Sequence, residues 1–331
     1  MMKFRTLLLP LFILSVLVSC KKDEVEKEYM DGSFKIVHSM PSYVTPGSTY
    51  TFSVSGITAP DGTAVGYSFK DPVTKVTDTT SVYTYTVPDT LGTFSILCTA
   101  FAVESSDLYY SSSTSIKFTT VSENGTLGNI DISLDSGSAD LRSRTYPIVT
   151  VAGTDWICFN LSYIERDASG TETFGRSYVG CTALQNVLGA YYTWEEARTA
   201  CPEGWRLPSD SDWVQLLKSV GAPDTLAPLQ DSPSGAGKLM CGITFNGSAM
   251  WEFFRGVTVT NESGLCVIPT GYANVFEGSY DFSGLGSYAA FWTSDESGTQ
   301  GVYRYIYQEN DNVYAGLADK DTFAASVRCV R

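Results

Sequence analysis

Hydrophobic and polar residues alternate along the first third of the chain, from about Ser33 to Val121. The alternating runs are separated by turn sequences such as Pro46-Gly47 and Asp61-Gly62. A period of two predicts strands with one buried face, and residues 33–121 are therefore expected to form an antiparallel β-sandwich. The apolar positions of these runs are Tyr50, Phe52, Val54, Tyr83, Tyr85, Val87, Phe94, Ile96, Cys98, Ala100, Ala102, Ile116 and Phe118.

Two short helices are predicted between Thr193 and Val220. Thr193 with Glu196, and Ser209 with Asp212, have the spacing of a capping box, in which the hydroxyl and the carboxylate each satisfy an orphan N–H of the first turn. Pro202 ends the first helix, and the second carries apolar residues at i, i+3, i+4 and i+7. That apolar stripe is Trp213, Leu216, Leu217 and Val220.

The first nineteen residues have the pattern of a secretory signal, with a basic start followed by an apolar run too short to span a bilayer. The run ends in Leu17-Val18-Ser19-Cys20, which resembles the bacterial lipobox and implies that Cys20 carries the lipid anchor. Residues 20–32 are expected to be a tether, and its charged start resembles an export signal to the outer face. An ordinary signal peptide that happens to end in a cysteine is the alternative.

The formal net charge of −14 makes nucleic acids and anionic lipid surfaces poor partners. Aromatic residues make up 13% of the chain and charged residues only 18%, a composition typical of a folded, β-rich, exported protein. The length favours two domains. Glycine, serine and acidic residues without periodicity fill residues 122–140, which are predicted to be the linker to a second domain at 141–331.

His38 is the single histidine of the chain. A serine triad, a Cys-His pair or a zinc site with more than one imidazole would each depend on it, yet it lies far in sequence from every other motif. It follows Phe34 and Ile36 at a spacing of two, so a structural role is predicted.

The first domain resembles PKD and related immunoglobulin-like domains in its closing hairpin. The segment Tyr83 to Pro88, followed after Leu91-Gly92 by Thr93 to Leu97, carries this resemblance. It implies an all-β sandwich that acts as a spacer. Cys98 falls on the inward face and is expected to be a small buried hydrophobe.

Four separated signatures of the second domain resemble the Fibrobacter succinogenes major paralogous domain, which is similar to the C-type-lectin-like fold. They are Tyr146 to Trp156 with Asn160-Leu161, the block Trp194 to Trp213, Ser263 to Leu265 with Ile268 to Tyr272 and Phe291 to Ser294, and Ser326 to Val330. The resemblance implies an α+β fold and an envelope location, with ligand-binding relatives and no established reaction. Phe323 to Ser326 replaces the more usual Ser-Gly-Phe of the family.

Six cysteines lie in the second domain, an even number that suggests disulfide bridges in an exported protein. The lectin-like fold ties its first helix to its final strand, which implies a bridge between Cys201 and Cys329. Proximity along the chain favours Cys158 with Cys181 and Cys241 with Cys266. No two of these cysteines have the CxxC spacing of a metal site.

The region between the second helix and Phe291 corresponds to the variable loops of the lectin-like fold and combines aromatic, amide and acidic residues. Met250 to Phe254 is expected to form a strand and 272–281 a loop. Aromatic rings can stack on sugars, and Tyr272 and Tyr280 are favoured because Gly271 and Gly278 keep the backbone thin. The predicted ligand-binding residues are Trp251, Tyr272, Asn274, Glu277, Tyr280 and Asp281.

No cofactor is predicted. The calcium motifs of true C-type lectins are missing from the sequence, although Asp281, Asp295 and Glu296 could supply oxygen ligands. A glycosidase would need two carboxylates facing one cleft. The adjacent pairs Glu195-Glu196 and Asp210-Asp212 are the candidates, but the capping boxes already account for one member of each.

The sequence thus predicts an immunoglobulin-like sandwich followed by a C-type-lectin-like domain, anchored at the outer membrane through lipid and exposed at the cell surface. The expected role is non-catalytic binding or adhesion, with a glycan or a host or envelope protein as partner. A polysaccharide hydrolase and a purely architectural envelope protein are the alternatives. An open loop region would favour binding, and a region filled by its own aromatic side chains would favour architecture.

Overall fold

The computed structural model describes residues 26–121, 127–128 and 137–331. The predicted signal, Cys20 and most of the predicted linker lie outside the described residues. No helix in the described part of the chain has the length and apolar content to span a membrane.

Ten strands form the first part of the molecule, and eight of them belong to two sheets. One sheet has the order β2-β4-β7 and the other the order β3-β10-β8-β5-β6, while β1 and β9 pair separately. The strands are β1 (Glu28–Tyr29), β2 (Asp31–Val37), β3 (Tyr43–Val44), β4 (Thr49–Thr58), β5 (Val65–Lys70), β6 (Thr77–Thr79), β7 (Val82–Thr86), β8 (Gly92–Ala102), β9 (Tyr109–Tyr110) and β10 (Ser112–Thr120).

The two sheets share one core, which is the arrangement that the alternating pattern predicts. Phe52 and Tyr83 come from one sheet and Phe69 and Cys98 from the other, and all four are buried in the same cluster. Burial raises the pKa of the Cys98 thiol to about 11, consistent with the predicted role as a small hydrophobe. His38 is exposed just after β2, with its ring 5.2 Å from that of Phe52.

The second part of the molecule contains strands, four α-helices and a 3₁₀ turn at Tyr178–Gly180. The strands are β11 (Leu127–Gly128), β12 (Ser138–Leu141), β13 (Arg144–Val151), β14 (Thr154–Ile157), β15 (Glu165–Arg166), β16 (Glu172–Phe174), β17 (Thr244–Phe245), β18 (Ser248–Ala249), β19 (Thr270–Phe276), β20 (Ser279–Leu285), β21 (Tyr288–Ser297), β22 (Gln300–Tyr307), β23 (Val313–Asp319) and β24 (Phe323–Ala324). The helices are α1 (Thr182–Leu188), α2 (Trp194–Ala200), α3 (Asp210–Ser219) and α4 (Ala236–Leu239).

Three segments differ from the prediction. Strand β12, which pairs with β13 of the second part, begins at Ser138, inside the predicted linker. Met250 to Phe254 is not a strand, and residues 272–281 form the hairpin of β19 and β20 instead of a loop. Cross-strand pairing supplies this hairpin with backbone hydrogen bonds that the sequence pattern does not show.

Both predicted capping boxes are present, and they fix where α2 and α3 begin. Thr193 accepts a hydrogen bond from the N–H of Glu196, whose carboxylate accepts one from the N–H of Thr193. Ser209 and Asp212 repeat this exchange at α3. Local hydrogen bonding therefore determines the residues at which these two helices begin.

The central sheet has the order β20-β19-β21-β22-β23, with β24 paired to β19. Alternate residues of its strands face opposite sides. Ala289, Phe291 and Ile306 lie in a core with α3, whereas Ala290 and Trp292 lie in a second core with α2. The sheet therefore has a helix on each face.

Buried Arg328 joins three of the four signatures. Its guanidinium donates to the side-chain oxygen of Asn160 at 2.8 Å and to the backbone oxygens of Leu265 at 2.7 Å and Cys266 at 3.0 Å. Because a buried cation needs such acceptors, the signatures that are far apart in sequence form one structural unit.

One disulfide, between Cys201 and Cys329, joins the residue that ends α2 to the C-terminal segment, as the resemblance implies. The other two expected bridges are not formed, and Cys158, Cys181, Cys241 and Cys266 are free thiols. Their positions differ in character, since Cys158 is buried while Cys181 is half-buried at the start of α1. The thiols of Cys241 and Cys266 influence each other, and this interaction raises the pKa of Cys241 and lowers that of Cys266.

The two parts of the molecule contact each other beside the sandwich. Tyr43 packs edge-on against Tyr178 with 5.6 Å between ring centroids, and the side-chain amide of Asn246 donates to the carbonyl of Thr120 at 2.8 Å. Burial raises the pKa of Tyr43 to about 12.

Candidate functional site

Tyrosines from four adjacent strands converge on one side of the central sheet. They occupy alternate positions, so their neighbours Ala289, Arg304 and Ile306 are buried on the opposite side. We define the tyrosine face as Tyr272 of β19, Tyr288 of β21, Tyr303, Tyr305 and Tyr307 of β22, and Tyr314 of β23.

This face lines an open cavity of about 640 Å³. The remaining lining residues are Gly284, Ser287 and Phe323, so none of the lining side chains is charged. A concave, largely aromatic site with a few hydroxyl groups has the character of a small-ligand pocket.

The rings of the tyrosine face stack on one another. Tyr305 lies between Tyr288, at 5.1 Å and 20°, and Tyr314, at 4.8 Å and 16°. Strands β21 and β23 flank β22, so these two neighbours cover the opposite faces of the Tyr305 ring. The Tyr305 ring is thereby fixed in place before any ligand arrives.

A glycine on the edge strand makes room for one of these rings. Gly316 is paired with Tyr303 across β22 and β23, and a Cβ atom at Gly316 would lie 2.4 Å from the Cζ atom of Tyr303. A larger residue at position 316 would displace the ring. Gly316 therefore sets the shape of this part of the face.

One end of the face is closed and the other is open. Trp194 of α2 lies against Gly301, and its indole N–H donates to the carbonyl of Thr293 at 3.0 Å. Beyond this cover, Tyr288 and Tyr307 are only half-buried. The cavity is the part of the aromatic layer that α2 does not cover.

The phenols of the face are held in the neutral form. Burial raises the pKa of Tyr288, Tyr303 and Tyr305, and neighbouring phenols add to the shift. The nearby hydroxyl of Tyr303 raises the pKa of Tyr288 further. A tyrosine with a raised pKa remains a hydrogen-bond donor well above neutral pH.

Two of the predicted ligand-binding residues, Tyr272 and Asn274, lie on this side of the β19–β20 hairpin. Tyr272 belongs to the tyrosine face and stacks on Phe323 with 5.3 Å between centroids. Asn274 pairs with Asp281 of β20 on one side and with Phe323 of β24 on the other, and Asn274 and Asp281 are both exposed. Asn274 therefore provides an amide on the Tyr272 side of the hairpin, whereas Asp281 lines a different cavity, together with Tyr280.

Tyr280 lies on the other side of the hairpin, so it cannot share a site with Tyr272. It is opposite Val275, and the guanidinium of Arg176 lies 5.0 Å from its ring centroid. Here it lines a separate cavity of about 430 Å³. The two tyrosines favoured for stacking therefore lie on opposite sides of the hairpin, because strand alternation sends adjacent positions to opposite faces.

Two further predicted residues have other positions. Trp251 is buried in the core, 6% exposed, and its indole N–H donates to the carbonyl of Val267 at 3.0 Å. Trp251 is therefore not the exposed loop aromatic that the sequence suggested. Glu277 is exposed at the hairpin turn with φ 49°, away from the cavity lining.

The acidic residues considered for calcium have separate partners. Asp295 accepts a hydrogen bond from the N–H of Asp210 at 2.6 Å, and Glu296 pairs with Lys320. In the described ranges, no group of three or more His, Cys, Asp or Glu residues is arranged to hold a metal ion. Asp281 lines the cavity that contains Tyr280, without such a group.

The carboxylate pairs considered for hydrolysis are also engaged elsewhere. Glu196 and Asp212 serve as capping residues. Asp210 is buried against Arg304, with 2.7 Å between its Oδ2 and the guanidinium, and Glu195 faces Arg198 on the surface. Neither pair presents two carboxylates to the tyrosine-lined cavity.

Five residues of the tyrosine face were not among the predicted ligand-binding residues: Tyr288, Tyr303, Tyr305, Tyr307 and Tyr314. The run from Tyr303 to Tyr307 alternates tyrosine with arginine or isoleucine, which is the pattern of a strand with one aromatic face. That signal was present in the sequence. The prediction had placed the ligand in loops before this strand.

The fold and the site define a β-rich domain with short capped helices, a terminal disulfide and an open aromatic sheet face. The family model of the Fibrobacter succinogenes major domain matches residues 149–331, which is more than half of the chain. The chain belongs to this family, and the predicted resemblance is confirmed. No curated protein matches the chain.

Proposed function

We propose that this protein is a non-catalytic binding protein whose tyrosine face holds a glycan at the cell surface. The observation that carries the proposal is the open 640 Å³ cavity, lined by six tyrosines and Phe323 without a charged side chain. Sugars combine apolar C–H surfaces with hydroxyl groups, and aromatic rings bearing hydroxyls match both. An architectural protein would have no need for an uncovered aromatic layer of this size.

The proposal includes the finer fold assignment. The central sheet with its two capped helices and the Cys201–Cys329 bridge support a C-type-lectin-like domain. The two facing sheets of the first part support an immunoglobulin-like or PKD-like sandwich. In this arrangement the sandwich is a spacer between a lipid-anchored tether and the binding domain.

The proposed location is the outer membrane, with the anchor at Cys20 and the domains exposed to the outside. The signal pattern and the lipobox-like sequence before Cys20 support it. Cys20→Ser should release the protein into the soluble fraction. If the Cys20→Ser protein remains in the membrane and is processed like the wild type, the anchoring proposal is lost.

The binding proposal is tested with the mature full chain on an array that carries glycans and envelope proteins. A glycan ligand should lose at least about tenfold in affinity for Tyr314→Ala, which removes one ring from the open end of the face. Tyr280→Ala is the matched control, because Tyr280 is also half-buried but faces the other cavity. Equal glycan affinity of the wild type and Tyr314→Ala would reject the tyrosine face as the binding site. A loss of affinity only in Tyr280→Ala would instead indicate binding in the cavity beside Arg176.

A further inference from the structure

We infer that the tyrosine face recognises an uncharged, polyhydroxylated chain through its phenol hydroxyls, and not by stacking sugar rings on flat aromatic faces. This inference rests on the proposed function and narrows it to neutral glycans. The ring packing, the hydroxyl groups around the cavity and the surrounding charge are independent observations that support it.

The flat surfaces of the central rings are already occupied. Tyr288 and Tyr314 cover both faces of Tyr305, and Tyr272 stacks on Phe323 with an interplanar angle of 28°. A sugar that stacked on Tyr305 would have to separate rings that are about 5 Å apart, and lose their packing. The ligand therefore meets ring edges and hydroxyl groups.

Phenol groups are suited to recognise the hydroxyl groups of a sugar. Each tyrosine hydroxyl donates one hydrogen bond and accepts others, as a sugar hydroxyl does. Six phenols and the hydroxyl of Ser287 line the same cavity. Because neighbouring rings fix their positions, these groups are arranged for the ligand without a large loss of conformational freedom on binding.

The charge around the cavity favours an uncharged ligand. No cation lines it, and the Tyr307 hydroxyl donates to Glu309 at 2.9 Å on its border. Asp231 is close enough to contribute to the raised pKa of Tyr305. An acidic sugar would lose water and face like charges, without a basic partner.

The test compares phenylalanine variants of the full chain against a panel of polysaccharides. Soluble mannan, xylan and β-glucan are the neutral probes, and polygalacturonate and a sulfated glycan are the acidic ones. Tyr305→Phe and Tyr314→Phe keep the rings and remove only the hydroxyls, and Tyr280→Phe is the matched control. Each face variant should weaken binding of a neutral probe by about 2- to 12-fold, the range for one hydrogen bond, and the double variant by more.

Different outcomes would contradict recognition through hydroxyl groups and glycan binding at the tyrosine face. A neutral ligand whose affinity falls with Tyr314→Ala but is unchanged in both phenylalanine variants would contradict recognition through hydroxyls. An acidic polysaccharide that binds this face as tightly as a neutral one would contradict the ligand class, while glycan binding itself stands. If no polysaccharide binds at the tyrosine face, the proposed function fails. Unchanged thermal midpoints of the phenylalanine variants establish that they remain folded.

Discussion

Arg304 shows how much a single buried charge can depend on one distant partner. Its guanidinium is fully buried on the side of the sheet opposite the tyrosine face, and it donates to both carboxylate oxygens of Asp210. It also donates to the carbonyl of Gln230 at 2.7 Å. Asp210 in turn accepts from the N–H of Leu229, so the pair connects α3, β22 and the loop after α3.

Arg304→Met should therefore destabilise the protein by about 3–5 kcal/mol, because Asp210 is left charged and buried without its partner. Urea unfolding measures this change. Arg331→Met is the control, since the ion pair of Arg331 with Asp155 is partly exposed and should contribute no more than about 1 kcal/mol. Equal losses in the two variants would show that Arg304 is not the buried partner described here.

The sequence predicted the local role of residues such as Asp212 but not the long-range role of Asp210. A capping box is defined by residues three positions apart, so it can be identified without knowledge of the fold. Asp210 and Arg304 are 94 positions apart, and nothing in their local patterns indicates that they meet. The burial of Trp251 could not be predicted for the same reason, since it depends on distant residues that pack over the loop.

The short helices depend on their first turns, because each has few residues with which to form its own backbone hydrogen bonds. Thr193→Ala and Ser209→Ala should each cost about 0.5–2 kcal/mol of stability, since each leaves N–H groups of the first turn without an acceptor. Denaturant unfolding of each variant tests this. Thr199→Ala is a control outside the caps, and a cap variant as stable as this control would contradict the prediction.

The cap of α3 also makes stability depend on pH. Burial alone would raise the pKa of Asp212, but hydrogen bonds from Arg206 and Ser209 outweigh it and lower the pKa below the ordinary 3.8. A carboxylate with a lowered pKa stabilises the folded state above its unfolded value, and this contribution is lost as the pH falls through the folded value. Unfolding from pH 7 to pH 2 should show less acid sensitivity for Asp212→Asn than for the wild type. Identical pH profiles would contradict this assignment.

At the scale of strands, the sandwich could be predicted because alternation is strong where one face is buried and the other is polar. The β19–β20 hairpin could not, because Asn274, Glu277 and Asp281 interrupt its apolar pattern and suggest a loop. Partner strands satisfy the backbone there, which the local sequence does not reveal. The tyrosine face forms only when four such strands align, so its residues could be recognised singly but not as one site.

At the scale of the whole molecule, the Cys201–Cys329 bridge closes a loop between residues 128 positions apart. In the chain-entropy model a loop of this length stabilises the folded state by about 5 kcal/mol. The double variant Cys201→Ser and Cys329→Ser should therefore unfold at a clearly lower urea concentration. Cys181→Ser is the control, since Cys181 is a half-buried free thiol. A double variant as stable as this control would show that the bridge contributes little.

In the proposed function, the two domains have different roles. The sandwich separates the binding domain from the membrane, and the central sheet binds the ligand. This view requires that the ligand contact the tyrosine face and no other part of the chain. The cavity beside Tyr280 and Arg176 is the nearest competing location, because it lies on the opposite side of the same hairpin.

Hydroxyl-radical footprinting of the mature full chain, with and without a saturating glycan found by the array, tests the central claim most directly. Mass spectrometry reports the labelling of individual tyrosines. We predict that the glycan protects Tyr305, Tyr307 and Tyr314, while labelling of Tyr280 and of Tyr67 in the sandwich stays unchanged. Protection of Tyr280 or Tyr67, with the tyrosine face still labelled as in the free protein, would contradict the account.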